Sequence, residues 1–197
     1  FGSSMAVLTD IDGSGSGAVA LAVAAPGTTP TGAVWLLILT PGSTGQSWAQ
    51  IVGTIEIPTP AAADSLAAIG DINADSLPDL AVGYASYAGP TCPGTKCGAI
   101  SVLHIDAPAG SYAFQGMLED PNGALDGALF GSALAALGNA NTYGTPAIAV
   151  GAPGQSGSMG AVSLLTFEDA GNFAWGISLS YGSDYLPSPL VTGDRFG

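Results

Sequence analysis

Apolar residues in this chain fall in short runs separated by Gly, Pro, Ser and Asp. The run Ala33-Val34-Trp35-Leu36-Leu37-Ile38-Leu39 is the strongest of them. Runs of this length bounded by turn residues read as strands, and the 3.6-residue period of an amphipathic helix is weak throughout. In the last third of the chain the pattern predicts four strands, near Ser132–Leu137, Pro146–Val150, Gly160–Phe167 and Phe173–Tyr181, with a turn at Gly151-Ala152-Pro153-Gly154. Val19–Val23, Leu80–Val82 and Ala147–Val150 are nearly continuous small aliphatics. Strands covered on both faces look like this, because neither face meets water.

The pattern repeats. Phe1-Gly2-Ser3-Ser4-Met5-Ala6-Val7-Leu8 aligns with Phe130-Gly131-Ser132-Ala133-Leu134-Ala135-Ala136-Leu137. Between them lies Ala62-Ala63-Asp64-Ser65-Leu66-Ala67-Ala68-Ile69, in phase but without the Phe-Gly, and Phe196-Gly197 stands where another start would fall. The starts at residues 1, 62, 130 and 196 are 61, 68 and 66 residues apart. Units 1–61, 62–129 and 130–195 follow, with 196–197 opening a further one. Each third strand begins Gly-Ala, at Gly32-Ala33, Gly98-Ala99 and Gly160-Ala161. Repeated four-strand units of this size predict an all-β fold of antiparallel β-propeller blades.

Two of the turns carry chemistry. Asp71-Ile72-Asn73-Ala74-Asp75-Ser76-Leu77-Pro78-Asp79 places oxygen side chains at positions 1, 3, 5 and 9, with the Leu77 carbonyl available at position 7. Calcium takes six to eight oxygens, charged side chains and carbonyls among them, so this spacing predicts a Ca2+ loop. A solvated Asx-rich turn has the same composition. The first unit offers Asp10, Asp12, Ser14 and Ser16 in a longer Gly-Ser loop without a ninth-position carboxylate, either a weaker calcium site or a plain turn. The third unit has Asn139, Asn141, Tyr143 and Ala147 there and is expected to be metal-free.

Phe-Gly at a unit start, an Asp-rich loop and a following Val150-Gly151-Ala152-Pro153 resemble the FG-GAP repeat of integrin α-subunit propellers. The first unit carries Phe1-Gly2 with Val23-Ala24-Ala25-Pro26; the second keeps only Val82-Gly83 beside the best loop. The resemblance implies propeller blades. Three units cannot close a ring, so apolar faces at either end require further blades of the same chain or identical copies docked head to tail.

Charge narrows the partners. Lys96 and Arg195 are the two cations against fifteen carboxylates, a formal charge of −13. Such a surface cannot neutralise a phosphate backbone or an anionic membrane, which excludes nucleic acid. No apolar run approaches the ~20 residues of a spanning helix. The chain opens on Phe1 with no signal peptide and reads as a mature or excerpted segment. Cys92 and Cys97 flank Pro93-Gly94-Thr95-Lys96, and one such pair with a single histidine is too small a set for structural zinc. A Cys92–Cys97 disulfide and an extracellular or cell-surface location are expected, the alternative being two free thiols in a loop.

Catalytic groups are sparse. His104 lies between Val102-Leu103 and Ile105 and reads as an ordinary strand position. Glu119-Asp120 and Glu168-Asp169 suit solvated turns, since adjacent strand residues face opposite ways. Trp35, Trp48 and Trp175 are expected to pack between strands rather than to form a sugar platform. Thr28-Thr29-Pro30-Thr31 and Pro58-Thr59-Pro60 have the composition of O-glycosylated surface segments and of exposed turns alike. The sequence thus predicts a non-enzymatic, calcium-binding structural or adhesive repeat protein, partnered by glycans or cell-surface proteins. The alternatives are a lectin-like propeller and an accessory domain of a secreted enzyme.

Overall fold

The computed structural model describes all residues except 16, 28–30, 41–49, 93, 122, 124, 140–145, 168–171, 181, 182 and 184–189. It is all-β. Strands β1 (Met5–Thr9), β2 (Val19–Ala25), β3 (Ala33–Thr40) and β4 (Gln50–Pro58) form one antiparallel sheet. β5 (Ser65–Gly70), β6 (Asp79–Tyr84), β7 (Ala99–Asp106) and β8 (Ser111–Phe114) form the second. β9 (Leu134–Asn139), β10 (Pro146–Ala152), β11 (Ala161–Phe167) and β12 (Phe173–Ser180) form the third. Each sheet is a simple meander in chain order, as short turns between successive runs allow. In the third sheet the first strand starts two residues later than the apolar pattern suggests, because Gly131 and Ser132 are used in a turn. The one helical segment among the described residues is the single turn Gln155–Ser158, and no helix there is long and apolar enough to cross a membrane.

The sheets pack through their faces. One apolar cluster joins Ala22, Ala24, Val34 and Leu36 of the first sheet to Leu66, Leu80, Val82 and Leu103 of the second. Another joins Ala67, Ala81, Ile100 and Val102, on the opposite face of the second sheet, to Ile148, Val150, Ala161 and Leu165 of the third. The middle sheet is therefore covered twice, which is why every residue of β6 is buried. Each large aliphatic buried in these layers contributes about 1.5–3 kcal/mol of transfer free energy. Within β6, Gly83 is the point of closest backbone approach, and the large Leu80 and Tyr84 are fully buried on the face that meets the first sheet.

The repeated dipeptides have a structural use. Within a unit, the Gly131 N–H donates to the Gly151 carbonyl at 3.0 Å, and the Gly2 N–H donates to the Ala24 carbonyl at 2.9 Å. Between units, the Phe130 N–H donates to the Cys97 carbonyl at 2.9 Å, and Phe130 forms a parallel bridge with Gly98. Phe196 does the same one unit later, through the Met159 carbonyl at 3.0 Å and a bridge with Gly160. These contacts require glycine. A Cβ on Gly98 would lie 2.1 Å from the Phe130 oxygen, and one on Gly83 2.1 Å from the Gly131 oxygen. The matching distances for Gly160 to Phe196 and Gly151 to Gly197 are 2.0 and 2.3 Å. Where the first sheet carries Ala24 in place of that second glycine, the following unit begins Ala62-Ala63 instead of Phe-Gly.

Candidate functional site

The loop after β5 is built by side chains folding back onto its own backbone. Gly70, at φ 77°, turns the chain out of the strand, and Ile72 is buried beneath the loop. Asp71 accepts from the Asp75 N–H at 3.1 Å and from the Ser76 N–H at 2.8 Å. The Asn73 side-chain oxygen also accepts from the Asp75 N–H at 3.1 Å, so oxygens from positions 1 and 3 converge on one point. Asp75 in turn accepts from the Leu77 N–H at 2.8 Å and from the Asn73 amide at 2.9 Å. Ala74 and Ser76 hold positive φ of 62° and 70°, uncommon for residues with a Cβ and needed here to wind the loop tightly.

Asp79 has partners that the sequence did not foresee. It opens β6, is fully buried, and accepts from the Ile72 N–H at 2.9 Å. Its other oxygen lies 2.9 Å from Nδ1 of His104, and His104 Nε2 lies 3.1 Å from Nε2 of Gln115. His104 is thus the partner of a buried carboxylate rather than an ordinary strand position. The sequence missed this because cross-strand pairing decides it: Leu80 faces Leu103, which sets Asp79 beside His104. Burial raises the Asp79 carboxyl above its ordinary value, as does the nearby Asp75 charge; the Ile72 N–H and His104 act in the opposite direction. Among the described residues no group of three or more His, Cys, Asp or Glu side chains is gathered to hold a metal ion. The donor set 71, 73, 75, 77 and 79 has the hard-oxygen chemistry calcium requires. Its first three side chains converge, while Asp79 is engaged with His104.

The first-unit loop uses the same turn. The Gly15 N–H donates to Asp10 at 2.7 Å and the Ser14 N–H donates to Asp12 at 3.2 Å, matching the i+5 and i+2 bonds of Asp71 and Asn73. Ile11 is buried beneath it as Ile72 is beneath the second loop. Ser16 lies outside the described residues. Of the third-unit positions, Asn139 ends β9 and Ala147 is buried in β10, whereas Asn141 and Tyr143 lie outside the described residues.

Cys92 and Cys97 are disulfide-bonded, with Cα atoms 5.7 Å apart. Asp126 accepts from the Thr95 and Lys96 N–H groups, and the Lys96 carbonyl accepts from the Leu129 N–H, so the small ring abuts the segment leading to Phe130. Glu119-Asp120 is not a solvated turn. Asp120 is buried, and Glu119 binds both the hydroxyl and the N–H of Thr91. Trp35 is half-buried in β3, opposite Val23 and Glu56, and its indole N–H is enclosed. Trp48, Glu168, Asp169 and residues 28–30, as well as the side chain of Trp175, lie outside the described residues. No family model matches the chain, and no curated protein matches it.

Proposed function

We propose that this chain is a run of FG-GAP-type propeller blades that serves as an extracellular structural or adhesive scaffold, stiffened by calcium at the loop after β5. One observation carries the reading. The same Phe-Gly contact that ties the third unit onto the second recurs at Phe196-Gly197 on the third, a joint made to be repeated along an array. A disulfide beside that joint fits an oxidising compartment.

Calcium would be held by Asp71, Asn73, Asp75, the Leu77 carbonyl and Asp79, and more weakly by Asp10, Asp12, Ser14 and Ser16. The matching turns of the two loops support this, since in both the position-1 and position-3 side-chain oxygens accept from N–H groups of the loop. When bound, the cation would cross-link the loop and neutralise part of the −13 charge. A short loop of this kind suits affinities on the order of 10⁻⁴–10⁻³ M, adequate outside cells. Differential scanning calorimetry with millimolar calcium and with chelator tests the site. The melting temperature should rise with calcium in the wild type and far less in Asp75→Ala; equal responses would remove the assignment.

A further inference from the structure

Each of the two acidic loops is pinned by one large side chain at its second position, Ile11 in the first unit and Ile72 in the second. Both are buried, and they enter different clusters. Ile11 belongs to the cluster that joins the first sheet to the second, with Val34, Leu80 and Leu103. Ile72 belongs to the cluster that joins the second sheet to the third, with Ile148, Leu165 and Phe130. Each loop is thus anchored in the joint between its own unit and the next. The third unit carries Asn139-Ala140 at these positions, with neither the carboxylate nor the large side chain.

The two pins are held differently at their backbones. The Ile11 N–H donates to the Ala18 carbonyl at 3.3 Å, a main-chain group. The Ile72 N–H donates to Oδ2 of Asp79 at 2.9 Å, and Asp79 is the ninth-position carboxylate of its loop. The residue whose side chain fills the second joint is therefore fixed, at its backbone, by a member of the proposed calcium set. That joint runs the length of β5. Ile72 lies just beyond the end of the strand, and at its start the Ser65 hydroxyl donates to the Gly131 carbonyl at 2.7 Å. Beside Gly131, the Leu129 and Phe130 N–H groups cross the joint to the Lys96 and Cys97 carbonyls at 3.2 and 2.9 Å.

We propose that Ile72 links the loop after β5 to the joint between the second and third sheets, so that filling the loop tightens that joint. The proposal rests on the calcium reading and says where its effect is felt. With the loop filled, the Asp79 carboxylate is held by its ligand as well as by Ile72 and His104. The Ile72 main chain is then fixed, and with it the side chain that belongs to the joint. Interiors packed to crystal-like density transmit such a restraint rather than absorbing it locally, so it reaches Phe130 through the cluster. The first joint lacks this link, because Ile11 is held by a backbone carbonyl instead of a carboxylate.

Amide hydrogen exchange on the 197-residue chain, in calcium and in chelator, provides the test. Ser76 and Leu77, whose N–H groups bond to Asp71 and Asp75, report filling of the loop; Leu129 and Phe130 report the joint. At free calcium of about ten times Kd, both pairs should slow about tenfold, the factor by which the empty form is depleted. In Ile72→Ala the loop amides should still slow, since Ile72 offers no side-chain oxygen, while the joint amides should respond by less than about twofold. The response to calcium is the readout, because a packing defect alone speeds exchange in both conditions. Ile72→Val leaves a smaller gap and should give an intermediate joint response, which carries the test if Ile72→Ala does not fold. Joint responses equal to wild type in the variants that fold overturn the role of Ile72. Loop amides that slow without the joint amides in the wild type overturn the link and leave the calcium reading standing. No slowing at either pair removes the calcium reading, and the link falls with it.

Discussion

The Phe130 joint can be broken with one methyl group. Gly98 has φ 85°, and a Cβ there would sit 2.1 Å from the Phe130 oxygen, 2.4 Å from its nitrogen and 2.8 Å from its carbonyl carbon. All three are backbone atoms, so no side chain can swing aside. Gly110, in the turn between β7 and β8, has a similar φ of 66° with nothing within 4 Å of its added Cβ. Gly110→Ala therefore measures the left-handed backbone penalty alone, about 1–2 kcal/mol. Gly98→Ala carries that penalty and must also push the Phe130 backbone outward by more than an ångström. Phe130 is fully buried, and losing a buried Phe outright costs about 3–5 kcal/mol. Partial relaxation lowers this, so Gly98→Ala should be at least about 2 kcal/mol less stable than Gly110→Ala. With a urea m-value of about 2 kcal/mol/M, the unfolding midpoints should differ by about 1 M. Midpoints that agree would show that the Phe-Gly contact contributes nothing, and the array reading would lose its support.

Three further outcomes are expected. Asp75→Ala should lower the melting temperature in millimolar calcium and leave it nearly unchanged in chelator, as calorimetry can show; equal losses in both would remove the metal. Reducing Cys92–Cys97 should cost about 2 kcal/mol, the chain-entropy value for so short a loop, read as a shift in the urea midpoint with and without reductant. It should also speed hydrogen exchange at the Leu129 and Phe130 amides, which bond to the Lys96 and Cys97 carbonyls. In calcium-free buffer Asp79, raised above 3.8 chiefly by burial, contributes stability that is complete below its unfolded value and is lost as pH rises through its folded value. Wild type should therefore lose ground to Asp79→Asn as pH rises above 3.8, followed by urea midpoints; a gain over that rise would mean the carboxylate is held ionised.

The layer arrangement was legible in the sequence because it depends on short-range signals. Gly/Pro punctuation marked the strand ends, and the all-apolar Leu80–Val82 announced a strand covered on both sides, as β6 is; Val19–Val23 looks the same in sequence but lies in an outer sheet, with Val19 and Leu21 only half-buried. The loop contacts of Asp71, Asn73 and Asp75 were readable for the same reason, since Asx turns act over two to five residues. His104 was not readable. Its role depends on β7 lying in register beside β6, and nothing within a few residues of position 104 reports that. The burial of Asp120 escaped for a similar reason, being set by how the chain returns from β8 toward Phe130.

Asp79 joins the two kinds of information. The sequence reads it as the ninth residue of a proposed calcium loop; in the fold it is the buried partner of His104. Both roles use the same two oxygens, and a carboxylate has lone pairs enough to accept from Ile72 and His104 while facing a cation. The energetics differ sharply, however. Without a cation, burial and the neighbouring Asp75 charge both oppose ionisation of Asp79. A divalent ion beside it would reverse that sign and favour the charged form. If the loop binds calcium as proposed, the His104 pair would be the partner that keeps the buried carboxylate satisfied in its absence. On this account His104→Leu should destabilise the calcium-free protein more than the calcium-loaded one. Removing the partner of a buried charge is costly only while nothing else compensates it, on the order of 3 kcal/mol. Urea unfolding of His104→Leu with and without calcium measures the difference. An equal loss in both conditions would mean that His104 serves the β6–β7 pairing alone and has no link to the loop.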